Sequence, residues 1–195
     1  RSSDLLGLPV VETWDLTDKP CDMVVGFSHL AVGSAVAGYF RGKGWQDVAL
    51  ATGDDERAVR RRDAFVAAWG AEVPTAYLKA PSSLAGGRAA LAELLGAGHR
   101  VRAIFCSSDG LAQGVLTEAR VRGLRVPEDL AVVGFGGADF AAHVVPSLTT
   151  VQIDGTAIGQ QAGRLLLARC RGEPVARPVV DLGFQIVERQ SSAGS

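Results

Sequence analysis

An α/β fold of parallel strands flanked by helices is what this chain of 195 residues predicts, on three observations. Short apolar runs alternate with longer segments of helical period. The runs are apolar throughout, as strands covered by helices on both faces are. Most junctions carry a Gly or a helix-capping Asp or Ser. Hydrophobic residues make up 47% and charged residues 21%, which excludes a disordered or fibrous chain.

Taken in order, residues 9–13 and 23–27 read as short buried strands, and 30–43 as a helix ended by Gly44. Strand 47–52 leads through Gly53-Asp54-Asp55 into helix 56–69, which has Ala58, Phe65 and Trp69 on one side and stops at Gly70. Strand 75–79 follows, then Ser82-Ser83 cap a helix running to about 96. Strand 101–106 precedes helix 109–122, closed by Gly123, and strand 130–135 runs into Gly136-Gly137. The stretch 146–153 is extended and set apart from the regular units, as a crossover to another lobe is. Asp154 caps a helix to about 171, 179–188 is extended, and 190–195 reads as a polar, frayed tail.

Composition removes several function classes. No apolar run approaches the roughly 18 residues of a membrane span. With 20 basic and 21 acidic residues the net charge is −1, a poor nucleic-acid binder by itself. Cys21, Cys106 and Cys170 are odd in number and widely spaced, so no disulfide framework is expected, and a reducing cytosol fits. The first eight residues lack the apolar core of a signal peptide and an initiator Met. His29, His99 and His143 have no metal-ligand spacing, so neither metal nor cofactor is expected. Gly134-Phe135-Gly136 is a near miss for a dinucleotide loop, with Asp139 where the third glycine would fall. Nothing forms a nucleophile, base and orienter set, and the chain reads as a non-enzyme.

In open parallel sheets ligands bind beyond the C-terminal strand ends. Those ends carry Ser28-His29, Gly53-Asp54-Asp55, Ser107-Ser108-Asp109 and Gly136-Gly137-Ala138-Asp139. Each residue has a second reading as a helix cap, and the four ends together are a better signal than any one. Arg60, Arg61 and Arg62 form the one basic cluster. Arg61 can fork onto a carboxylate or vicinal hydroxyls, yet helical periodicity by itself places it in solvent. Trp14, Trp45 and Trp69 read as core or interface rather than sugar-stacking platforms.

Several stretches resemble one family. The run from Phe105 to Gly114, FCSSDGLAQG, resembles its strand, Asn-Asp, then helix with Ala-x-Gly. Gly123 to Phe135, GLRVPEDLAVVGF, is similar to its "G-x-x-V-P-x-D-hydrophobic-x-hydrophobic-x-G-F/Y", and Pro146 to Val151, PSLTTV, to its "P-x-L-T-T-V" crossover. Arg61 with Phe65 resembles its "R-x-x-G-F", Ala64 standing for glycine. The family is the effector-binding domain of LacI/GalR-type bacterial transcription regulators, and Phe27-Ser28, the Ser82-Ser83 region and the stretch from Asp181 to Phe184 look most like its gluconate-repressor branch.

The resemblance implies a two-lobed, periplasmic-binding-protein-like fold with three crossovers and the effector in the cleft. The first lobe would hold 1–44 and 154–181 and be incomplete, the second 45–153 and 182–190, with 191–195 as tail. The implied ligand-binding residues are Ser28, His29, Arg61, Ser82, Ser83, Ser108, Asp109, Gly136 and Asp139. Gly136 departs from a usual acid, and Ser28-His29 from Asp-Asn. Two acidic positions lost while Arg61 is kept tilt the expectation toward a sugar acid or other small anion. The family's N-terminal helix-turn-helix headpiece and hinge are absent before Leu8, so DNA binding is implied for a parent protein only, cytoplasmic and homodimeric. The competing expectations are an extracytoplasmic sugar-binding protein of an uptake system and a nucleotide- or sugar-dependent enzyme.

Overall fold

A computed structural model describes residues 7–17 and 19–193. The ends of the chain, residues 1–6 and 194–195, lie outside them, and with them parts of the readings of the N-terminus and of the tail. Two compact units form: residues 1–29 with 153–184, and 30–152 with 185–195. No helix among the described residues is long and apolar enough to cross a membrane.

The smaller unit holds a three-stranded parallel sheet in the order β1 (Val11–Thr13), β2 (Met23–Gly26), β8 (Val179–Asp181). Val24 and Val25 in the central strand are fully buried. Helix α5 (Gly155–Cys170) packs on β1 and β2 through Ile158 and Leu165. Asp154 caps it, accepting from the Ala157 amide at 2.8 Å.

The larger unit holds six strands in the order β4 (Thr75–Leu78), β3 (Val48–Gly53), β5 (Ala103–Cys106), β6 (Ala131–Gly136), β7 (Thr149–Gln152), β9 (Gln185–Val187). All neighbours are parallel except β7 and β9. Strands β3 and β5 are buried along their whole length, because helices cover both faces. On one face lie α3 (Leu84–Gly96) and α4 (Asp109–Val121), which pack Leu91, Leu94, Leu111 and Val115 over Ile104 and Val132. Gly87 and Gly114 let these two helices touch backbone to backbone: a Cβ on either would collide with the carbonyl of Leu111 or Leu84. On the other face an aromatic cluster joins α1 (His29–Gly42) and α2 (Glu56–Trp69), with Phe40 5.5 Å from Phe65 and Phe65 6.2 Å from Phe105. Each such buried Phe contributes roughly 1.5–3 kcal/mol.

Three differences from the sequence reading have physical causes. Residues 30–42 of α1 belong to the larger unit, not to a lobe of 1–44, because Val36, Ala37 and Phe40 are buried and Phe40 also meets Trp45 at 5.2 Å. The extended stretch 179–188 is two strands, β8 in one sheet and an antiparallel β9 in the other; the chain changes unit at 184/185 rather than after 181. The expected frayed tail is partly core. Ser191 and Ser192 are fully buried; the Ser191 hydroxyl donates to the Val132 carbonyl at 2.6 Å and accepts from the Thr149 amide at 2.8 Å.

Candidate functional site

Four polar residues at the strand ends are helix caps in the structure. Asp55 accepts from the Ala58 amide at 3.0 Å, Ser83 from Gly86 at 3.0 Å, and Ser108 from Leu111 at 3.2 Å, as Asp154 does for α5. Each satisfies one amide that the first helical turn leaves open. Ser82 is exposed beside Ser83. Asp139 is exposed, its carboxylate accepting from the adjacent Phe140 amide at 2.7 Å.

Arg61 and Asp109 are different. Arg61 is only 5% exposed, which overturns the solvent placement from periodicity. Gly33 of α1 removes the side chain that would otherwise strike the Arg61 carbonyl, so α1 closes over this turn of α2. The side chain then runs to the C-terminal strand tips. Its guanidinium carbon lies 3.8 Å from the centre of the Phe135 ring, and Nη2 donates to the Ser107 carbonyl at 3.1 Å. Its neighbours pair locally, Arg60 with Glu56 and Arg62 with Asp63. Ser107 also ties two tips together, its hydroxyl accepting from the Gly53 amide at 2.9 Å.

Asp109 opens α4 but does not cap it. It is 3% exposed, and its carboxylate reaches across to β6 and β7. One oxygen accepts from the Ala138 amide at 2.7 Å, the other from the Thr150 hydroxyl at 2.6 Å. Gly134 makes the space: a Cβ there would overlap Asp109 Oδ1. Burial raises the carboxyl's pKa above 3.8, while the Thr150 hydroxyl and the Ala138 and Gly137 amides pull it down, as Arg189 does from farther away.

Gly136 explains the missing acid. Its φ is 125°, and a Cβ there would lie 3.7 Å from Asp109 Oδ2. A carboxylate at this position would be strained and would face a second buried carboxylate.

Arg61, Asp109 and Gly136 thus meet at the tips of β5 and β6, joined by Ser107, Phe135 and Thr150. Sequence reasoning missed Phe135 and Thr150. In the sequence Phe135 closes a strand and a family motif, and no local signal says that its ring faces a helix on the same side. Ser28 and His29 lie in the smaller unit. His29 is buried, its Nε2 donating to the Trp14 carbonyl at 3.0 Å and its ring edge-on to Phe27 at 4.7 Å. A groove of about 530 Å³ along the outer side of β4, lined by residues such as Arg62, Glu72, Tyr77 and His99, contains none of the strand-tip residues. Among the described residues no group of His, Cys, Asp and Glu is arranged to hold a metal.

Comparison with known proteins decides the family. The family model of the periplasmic binding protein-like domain matches residues 37–192. The chain belongs to that family. It has the form found in the effector-binding domains of LacI-type transcription regulators. It is 33% identical over 98% of its length to the HTH-type transcriptional regulator GntR of Pseudomonas aeruginosa. It spans 58% of that relative, somewhat over half the length of the curated protein it matches. The structure of a transcription regulator GntR from Chromobacterium violaceum matches 99% of this chain and 73% of its own, at 34% identity and a TM-score of 0.93. A LacI family transcriptional regulator from Silicibacter pomeroyi matches 96% of this chain and 70% of its own, at 28% identity and a TM-score of 0.87.

Proposed function

We propose that this periplasmic binding protein-like chain is the sensor part of a cytoplasmic, homodimeric transcription regulator, and that its effector is a small sugar acid or similar polyhydroxylated anion. The observation that carries this reading is Arg61. Arg61 is buried, with its guanidinium carbon over the Phe135 ring, 3.8 Å from the ring centre, at the C-terminal strand tips. That placement holds the planar fork in one orientation, and a fork is suited to a carboxylate or a pair of hydroxyls. Gly136 in place of an acid keeps the neighbourhood favourable to an anion. Ser82, Ser83, Ser108, Asp109, Gly136 and Asp139 of the larger unit are the other positions through which the effector would be read. Binding would act by favouring one of two arrangements of the regulator, with DNA contacted by a separate headpiece.

Titration calorimetry with D-gluconate and D-glucose tests it. D-Gluconate should bind the protein more tightly than D-glucose. Arg61→Ala should weaken that binding by about 1.5–3 kcal/mol, the value of a charged hydrogen bond, while the thermal unfolding stays cooperative. Unchanged affinity in the variant removes Arg61 from the site, and preference for the neutral sugar overturns the anion reading.

A further inference from the structure

Strand β4 ends the six-stranded sheet and has a neighbour on one side only, β3. The Leu50 amide donates to the Pro74 carbonyl at 2.9 Å, and the Asp54 amide to the Leu78 carbonyl at 3.0 Å. Peptide groups of successive strand residues point to opposite edges. Pro74, Ala76 and Leu78 therefore face β3, and the amides and carbonyls of Thr75 and Tyr77 face outward, where no strand among the described residues takes them. Pro74 does not defend this edge, because its missing N–H is on the β3 side.

The side chains leave the edge open too. Ala76 turns into the core between the sheet and α3, so Thr75 and Tyr77 lie on the opposite face. Tyr77 is 58% exposed, with the Arg62 guanidinium carbon 5.4 Å from its ring centre. The groove of about 530 Å³ runs beside it. Outward peptide groups next to an exposed aromatic are a template for another strand.

Charge selects which strand. Glu72 precedes β4 and Lys79 follows it, and both are exposed. A second β4 laid antiparallel about a two-fold axis at Ala76 sets Thr75 opposite Tyr77 of the second copy, and Tyr77 opposite its Thr75. The outward amides and carbonyls then close on one another, and the two tyrosine rings become diagonal neighbours. The same register carries Glu72 toward Lys79 of the second copy, and Lys79 toward its Glu72. An isologous interface has to be self-complementary in this way. A foreign strand of uniform charge meets a like charge at one end of β4.

We infer that β4 is a self-association edge, through which two copies of this chain pair antiparallel and join their six-stranded sheets into one. The inference is independent of the effector reading, and a contact between copies elsewhere on the chain adds to it.

Sedimentation velocity over a range of protein concentrations tests it, with wild type, Lys79→Glu, the double swap Glu72→Lys with Lys79→Glu, and Thr75→Pro. Wild type should show a concentration-dependent association step. Lys79→Glu turns both end attractions into repulsions and should weaken that step about tenfold, and the double swap should restore it to within about threefold. Thr75→Pro deletes an outward N–H and no bond to β3, so it should abolish the step while thermal unfolding stays cooperative. If Thr75→Pro does not fold, the charge swap decides alone. A wild type without an association step, a step that Lys79→Glu leaves unchanged, a double swap that fails to restore it, or a folded Thr75→Pro that associates like wild type each overturns the inference.

Discussion

Both ends of the six-stranded sheet carry polar groups, but they use them differently. At the N-terminal end of β6 and β7, hydroxyls close on the chain itself. Ser191 bridges Val132 and Thr149, Ser192 donates to the Thr149 hydroxyl at 2.6 Å, and Arg189 donates its amide to the same oxygen at 2.8 Å. Tyr39 joins this edge through Glu188 at 2.6 Å and Ser192 at 2.7 Å. At the C-terminal end the groups are charged. Asp109 holds the tips of β6 and β7 together, and Arg61 rests on an aromatic face. The contrast teaches that buried polarity is not by itself a sign of function. One end is a staple for the last strand; the other holds a guanidinium in a fixed orientation where ligands bind such folds.

The contrast can be broken at either end. The largest effect is expected from Gly134→Ala, whose new methyl group displaces Asp109 and frees two buried donors. Urea unfolding should show a loss of roughly 3 kcal/mol, and a near-neutral result would mean that the clamp is not under packing control. Ser191→Ala leaves the Thr149 amide without its partner. It should cost about 2 kcal/mol in the same assay without changing D-gluconate affinity; a drop in affinity would blur the division between the two ends.

A pH series sharpens it further. The Asp109 carboxyl titrates above 3.8 because burial outweighs its hydrogen bonds. Between the unfolded and the raised folded pKa the native state therefore holds more protons than the unfolded state. Its contribution to stability is full below the unfolded pKa and is lost as pH rises through the folded one. Asp109→Asn should remove that downward slope, so stability curves for wild type and variant should converge or diverge across this window. Parallel curves would mean that Asp109 titrates normally.

Much of the fold was legible beforehand. Helix 56–69 was read to the residue, and most other elements to within one or two residues, because Gly44, Gly70 and Gly123 end helices and Asp55, Ser83, Ser108 and Asp154 start them. Asp55, Ser83 and Ser108 do cap helices, as the sequence suggested. The site was half legible. Arg61 was singled out by resemblance and placed in solvent by periodicity. The periodicity of α2 reports only what the helix shows to its own sheet face, whereas the ring and carbonyl that bury Arg61 come from strands 46 and 74 residues away in sequence, at Ser107 and Phe135.

Local chemistry in the chain determined the elements, their order and the family: helix caps and glycine stops act within a few residues, and so do the apolar strand runs. Tertiary structure alone decided which unit α1 joins, that 179–188 divides between two sheets, that Ser191 is core, and that Arg61 faces a ring. Each of these depends on backbone approaches at Gly33 and Gly134 and on side chains remote in sequence, and no local pattern encodes which remote group will fill the space a missing Cβ leaves.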